Sequence, residues 1–460
     1  MGMTTELQDA GVADGMARAL AESAAGFRIS QRPELLPLAR SAILDAIGCL
    51  IAGARESAPL GLAAIAQTAG GACTVVGQGG GRTAPDAALV NATAAHALDF
   101  DDACTTALGH TSAVMVPALL AVAEAEDRSG ADLVSAFVAG VEVQDRIGRV
   151  ANPEHYAAGW HSTSTVCALG AAAGCAHLLG LGADGILAAI SNCTSMIGGS
   201  RKQIGTPMKP IHAGLAARAA VEAALLARAG IAGDAEPLSG TWGMLRQFGA
   251  NPDQKQVTDA MADLRIGDAL AAGVLQLKRF PSCAATHKSL DGVLDLLSRG
   301  VDAQSVARLE TWVPADLAGN LRFDRPQNVT QAQFSMAYCA ARVLDTGELA
   351  LSDLTAEAVA RFATHDSLSR ITMHSLPNGA NAMGLPVRTR ATLHSGEQIE
   401  VTVTDTRGSA RNPLSAAEIQ QKFVACCSFA GCDESEALRR FDLVQTLPEA
   451  ARMGAFMVNL

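Results

Sequence analysis

From Ser162 to Ala183 the chain runs without a formal charge, built on alanine and glycine rather than on leucine and isoleucine. An apolar stretch of about 20 residues is long enough to cross a bilayer, but this one is interrupted by Ser162, Thr163, Ser164, Thr165 and His177. Gly170 and Gly174 stand four apart, so on a helix they strip one face to backbone and let a second helix approach closely. The segment reads as a buried core helix. Composition extends the point to the whole chain, since hydrophobic residues make up 49% of the 460 and aromatics only 4%. An interior filled by small and aliphatic side chains favours closely packed helices, and the length allows two or three domains at roughly 150 residues each.

Periodicity agrees through residue 270 or so. Ile43, Ile47, Leu50 and Ile51 form one stripe of a helix opening near Pro33. Similar patterns predict helices over 114–125, 132–150, 166–179, 184–196 and 215–229. The Gly-rich segment Gly77–Arg82 lacks the glycine at 82 that either a phosphate loop or a dinucleotide turn would need, and reads as a surface turn. Beyond about residue 275 the texture changes. Ser305–Val313 alternates, Leu368–His374 looks extended, and Val387–Val403 reads as two strands about Ser395-Gly396, with helices over 288–298 and 331–343 between them. Ser415 and Glu418 then form a capping box that opens a helix through Phe423, and a last helix covers 434–441.

Charge and cysteines narrow the partners. Arg and Lys total 35 against 46 Asp and Glu, a net −11, so the surface repels phosphate backbones and no nucleic-acid partner is expected. Eleven cysteines without a CxxC pair or a zinc-type spacing read as reduced thiols. The N-terminus carries acids early and has no basic segment before an apolar run, so a cytoplasmic protein with no membrane partner is expected.

Four clusters break the apolar background. The first is His96-Ala-Leu-Asp99-Phe-Asp101-Asp102 with His110 beyond it; its three acids have few further oxygen ligands nearby, so no metal set is read there. The second is Gly159-Trp-His161-Ser, a histidine at the head of the Ala-rich helix, where the neutral imidazole is favoured and suits a general base. The third runs from Arg201-Lys202 through Lys209 to His212, with prolines and Gly205 placing Lys209 in a stiff loop. The fourth is Lys278-Arg279-Phe-Pro-Ser-Cys283-Ala-Ala-Thr-His287, where the texture changes. Lysines and histidines gathered in Gly/Pro-bounded loops near a domain junction make an anion site, suited to a small carboxylate.

The motifs HALDFDD, GWHSTSTVCALGAAAG, TPMKPIHAGLAAR and LKRFPSCAATH, in this order, resemble the MmgE/PrpD family over nearly the whole length. That family includes 2-methylcitrate dehydratase, cis-aconitate decarboxylase and iminodisuccinate epimerase. The resemblance implies a mainly α fold: an all-helical domain of 1–274 plus 406–460, a smaller α+β lid domain of 275–405 inserted before the C-terminal helices, a site between them, and a homodimer. It puts family active-site positions on Asp99, His110, His161, Lys209 and Lys278, and a lid tyrosine on Tyr338. Cys283 stands where dehydratase-like and decarboxylase-like members carry His, and Ala103 where they carry Thr, which leans towards the epimerase branch.

The shared chemistry is proton abstraction next to a carboxylate. Negative charge then develops on that carboxylate and must be met by fixed donors. Lys209 and Lys278 are the expected cation clamp, with Arg279, His212 and His287 as further substrate-binding candidates. His161 is the expected base, His110 oriented by Asp99 the group that returns a proton, and Cys283 or Tyr338 the opposite-face acid of an epimerase. This chemistry requires no cofactor. The alternative is a non-catalytic homodimeric binder of an acidic metabolite, which would use the lysines but have no need of two histidines.

Overall fold

Glycine decides how closely the helices meet. In the computed structural model, which describes residues 12–66, 71–377 and 384–460, a Cβ on Gly170 would lie 2.6 Å from Gln144 Cβ and 2.7 Å from the Gly140 carbonyl oxygen. Helices Val166–Leu178 and Gly130–Ala151 therefore touch backbone to backbone, as the Gly170/Gly174 spacing predicts. Likewise a Cβ on Gly214 would lie 2.4 Å from the Leu89 carbonyl oxygen, so helix Met208–Arg228 lies directly on helix Ala84–Ala97. The acidic N-terminal eleven residues fall outside the described residues.

These helices, with Leu36–Gly53, Thr111–Ala125 and Gly182–Thr194, enclose one large apolar core. Phe423, Phe441, Val444 and Phe456 join that core from the end of the chain. Helix Ala416–Phe429 opens on the expected Ser415/Glu418 capping box and lays Phe423 over Gly48. Pro33–Gly53 is long and apolar enough to cross a membrane, and most of it is buried inside this core.

A second apolar cluster gathers Ile204 with residues between Phe280 and Val401. Its four-stranded sheet runs in the order Ile371–Leu376, Val306–Pro314, Val387–Leu393, Gln398–Val403. The first pair is parallel, with Leu309 opposite Ile371, and the rest antiparallel, with Ala391 opposite Ile399 across the predicted hairpin. The molecule is thus mainly α with small sheets.

Several local expectations shift. The extended reading of Leu368–His374 fails at its start: Asp366–Arg370 is a 3-10 turn in which the His365 side chain accepts from the Ser367 amide, and the strand begins at Ile371. The segment 331–343 divides into Val329–Ala332 and Met336–Thr346, because Ser335 caps a new helix on the Tyr338 amide. Gly77–Arg82 is more than a turn: Gln78–Arg82 pairs with Cys73–Val75 around Val76-Gly77. The glycines there admit close packing, since a Cβ on Gly81 would sit 2.1 Å from the Gly71 carbonyl oxygen. Most consequentially, helix Met208–Arg228 begins before Leu215, so Lys209 lies in its first turn and not in a loop. Prolines are tolerated in a first helical turn, where the missing N–H has no partner to lose.

Candidate active site

The chain after helix Ala84–Ala97 must turn back towards Thr111, and Asp99 makes the turn with φ +50. Ala103–Cys104 then pairs antiparallel with Leu275–Gln276, which delivers Lys278 beside Asp99. Helix Met208–Arg228 delivers Lys209 to the same carboxylate. Asp99 Oδ1 accepts from Lys209 Nζ at 2.6 Å and from Lys278 Nζ at 3.0 Å, and Lys278 also donates to the Asp99 carbonyl at 2.7 Å. A cation in a first helical turn opposes the helix dipole, so Asp99 is what makes Lys209 tolerable there. Burial alone would raise the Asp99 pKa, but the two ammonium groups outweigh it and hold the carboxylate ionised. Lys278 is the mirror case: burial lowers it, and Asp99 and Asp101 more than restore its charge.

A second acid organises the imidazoles. Asp101 Oδ2 lies 3.0 Å from His96 Nδ1 and 3.1 Å from His110 Nδ1, and His110 Nδ1 also donates to the Asp102 carbonyl at 2.8 Å. Surrounded by oxygen acceptors, Nδ1 of His110 carries the hydrogen, leaving its Nε2 a lone pair 3.8 Å from Asp99 Oδ1. His161 lies deeper, with Nε2 3.0 Å from Thr163 Oγ1 and Nδ1 3.1 Å from His212 Nδ1. The same Thr163 hydroxyl accepts the His110 amide, so the two histidine segments share one peg. Burial pushes the imidazoles towards the neutral form: His96 falls to about 3, His212 to about 4, and His110 and His161 are likewise lowered, with Lys209 reinforcing the shift at His161. Burial also lifts Asp102 to about 7 against the hydrogen bonds from Ser112.

The cluster backs onto a cavity of about 390 Å³. His110, Cys283 and Ala103 form part of its wall, with Tyr156, Arg201 and Asn320 elsewhere on it. Cys283 stands at the N-cap position of helix Ala284–Ser298, and burial pushes its thiol up to about 11, so it holds its proton at neutral pH.

The structure thus gathers Asp99, His110, His161, Lys209, Lys278 and His212, with Cys283 on the adjoining wall. Three expected residues it does not bring in. Tyr338 faces the interior of the second apolar cluster and donates to the Asp353 carbonyl at 2.5 Å, because its helix turns that face against Phe362. Arg279 is partly exposed and reaches Asp291 at 3.4 Å. His287 is one helical turn past Cys283 and is spent on the Ser282 carbonyl at 3.2 Å, against the Phe280 ring.

Sequence reasoning passed over three members. His96 and Asp101 stood inside the first motif, and their pairing needed only the recognition that residues five apart meet where a helix ends. Lys422 was harder to see: its ammonium group donates to the carbonyls of Phe100 at 2.7 Å and Lys278 at 2.9 Å, and pairs with Asp45 at 2.5 Å. The available signal was Asp45, the one acid in the apolar helix Leu36–Gly53. As for metals, nitrogens of His96, His110 and His161 lie within 4.8 Å of one another, and so do ligand atoms of His96, Asp99, Asp101 and His110. In the second set the cation position beside Asp99 is taken by two ammonium groups.

Fold and site together define a mainly helical protein that buries a lysine, carboxylate and imidazole cluster against a cavity. The sequence model of the MmgE/PrpD N-terminal domain matches residues 18–257, and that of the MmgE/PrpD C-terminal domain matches 280–447; the chain belongs to the MmgE/PrpD family. Cis-aconitate decarboxylase of Homo sapiens is 30% identical over 372 residues, 77% of this chain and 75% of that protein. The protein of the same name from Mus musculus is 27% identical over 366 residues, covering 76% and 73%. One from Aspergillus terreus strain NIH 2624 is 26% identical over 474 residues, covering 97% and 96%.

Proposed function

We propose that this protein is a cofactor-independent lyase or isomerase that removes a proton next to a carboxylate of a small di- or tricarboxylic acid. The observation that carries the reading is the neutral imidazole of His110 on the cavity wall, its Nδ1 locked to oxygen and its Nε2 free, directly in front of Lys209, Lys278 and Asp99. His110, facing the cavity, takes the role of base that the sequence assigned to His161; His161 orients the cluster from behind.

In the first step His110 Nε2 accepts the α-proton, and the C–H electron pair moves into the adjacent carboxylate. The field of the lysines opposes the charge that builds there. The fate of the intermediate separates the subtypes. A dehydratase protonates a departing hydroxyl. A decarboxylase instead takes its electron pair from the C–C bond that breaks as carbon dioxide leaves, and the same acid–base groups only add the proton that the carbon framework then needs. An epimerase returns a proton to the opposite face. Cys283, protonated and on the same cavity wall, supports the last: the thiol gives its proton to carbon, the imidazolium keeps the one removed, and solvent exchange resets both. The human and fungal relatives, named as decarboxylases, support the second. The two-lobed division of 1–274 plus 406–460 and 275–405, and a homodimer, belong to the same reading.

The test is proton NMR in deuterium oxide with methylcitrate, citrate, cis-aconitate and the iminodisuccinate isomers. Deuterium entering the α-carbon of one of them is the expected result, unchanged after exhaustive chelation. A ligand bound with no exchange and no product would make the protein the non-catalytic binder instead, and activity restored to a chelated sample by a divalent ion would end the cofactor-free reading.

A further inference from the structure

The charge balance around the cluster leaves something to explain. Lys209 and Lys278 meet two ionised acids, Asp99 and Asp101, so the inner wall offers an anionic substrate little net positive charge. Of the two arginines on the cavity wall, Arg149 is committed to Asp145 at 2.7 Å. Arg201 is different. Its Nη1 donates to the Tyr156 carbonyl at 2.7 Å, its Nη2 donates to Asn320 Oδ1 at 2.8 Å, and its guanidinium lies 3.7 Å above the Tyr156 ring. All three partners are neutral, and among the described residues no carboxylate lies within ion-pairing distance of it.

A guanidinium has five N–H donors, and only two are used here. Its Nε is buried with no hydrogen-bond partner. Tyr156 adds a second donor, for its hydroxyl oxygen accepts from Asn320 Nδ2 at 2.8 Å, which leaves the phenolic hydrogen to be given elsewhere; burial keeps that phenol protonated. The placement is fixed by backbone. Trp160 pairs with Ser200 in an isolated bridge, the His161 amide donates to the Gly199 carbonyl, and the Arg201 amide donates to the Gly159 carbonyl, so Arg201 is held in register with the extended segment that carries His161. Asp316 also lines the cavity, so the wall carries one acid as well.

We infer that Arg201, steadied by Tyr156 and Asn320, is a binding subsite for a second carboxylate of the substrate, remote from the carbon that reacts at His110. This deepens the proposed function and rests on it for the reaction, though not for the binding. A planar fork with spare parallel N–H groups matches a carboxylate bidentately, as a lysine at the same place would not. The subsite selects acids with at least two carboxylates.

The experiment is calorimetric titration with tricarballylate, a saturated tricarboxylate that cannot be turned over by loss of carbon dioxide from an alkene, alongside acetate. Wild type is expected to bind tricarballylate, Arg201→Met to bind it roughly tenfold to hundredfold more weakly, Arg201→Lys to lie between, and Asn320→Ala to weaken it in the same direction with the Arg201 charge intact. Thermal melts establish that each variant is folded. Where turnover exists, the loss should appear in KM for the full substrate far more than in kcat. Binding by a folded Arg201→Met within twofold of wild type overturns the subsite, and so does a wild type that binds tricarballylate no better than acetate. A wild type that binds tricarballylate but neither exchanges deuterium into nor forms product from any of the four acids above defeats the catalytic reading and leaves the subsite judged by its own variants.

Discussion

One oxygen, Asp99 Oδ1, holds two ammonium groups while the other, Oδ2, is buried without a hydrogen-bond partner. Such an arrangement is costly to disturb from either side, because truncating one member strands a buried charge. Lys209→Ala is expected to lower the rate of α-exchange by about 10²–10³, and His110→Gln by roughly 10²–10⁴, both read as initial rates of deuterium uptake on folded protein. Tyr338→Phe is the contrast: it leaves the Asp353 carbonyl without its donor, costing about 1–3 kcal/mol of stability, with exchange rates within twofold of wild type. A large rate loss there would return Tyr338 to the site. At this scale much was legible, since Asp99, His110, Lys209 and Lys278 each sit in a dense polar motif. What was not legible was orientation: nothing local tells that Tyr338 faces inward while Cys283 faces the cavity.

Among elements, helix Ala416–Phe429 does more than complete the core. Through Lys422 it holds the carbonyl of Phe100, next to Asp99 in the chain, and that of Lys278 itself, and it reaches Asp45 on helix Leu36–Gly53. Lys422→Met should destabilise by about 3–5 kcal/mol because Asp45 is left uncompensated. Adding Asp45→Leu should recover most of the melting temperature while exchange stays slow, since the two carbonyls still lack their donor. Recovery of both together would show that Lys422 serves stability alone. The helix itself was announced by its capping box, but its destination was not, because the two loops it joins lie more than 100 residues away along the chain. Helix starts were similarly obscured where apolar periodicity begins late, as at Met208, whose first turn carries Lys209 instead of a hydrophobe.

For the whole molecule, the buried histidines set a direction for acid stability. His96 and His287 are held neutral down to about 3 and His212 to about 4, well below the ordinary value near 6.5. Between those values the unfolded chain binds protons that the folded one refuses, so the stability they contribute is whole above about 6.5 and drains as pH falls towards 3. Melts at pH 7.5 and pH 5 should show the lower midpoint at pH 5, and His287→Gln, outside the imidazole cluster, should shrink the gap; equal midpoints would contradict the assignment. The mainly α character was readable from alanine, glycine and the scarcity of aromatics, because small side chains act through packing distance. The order of four strands was not, since a parallel pair joining Val306–Pro314 to Ile371–Leu376 leaves no local mark.

Lys422 also imposes an order of events during synthesis. A ribosome that has threaded out the first 400 residues has already made every histidine and lysine of the reactive cluster, yet the peg that fixes their loops is still to come. The loops of the cluster are thereby left unfastened until helix Ala416–Phe429 has emerged and docked.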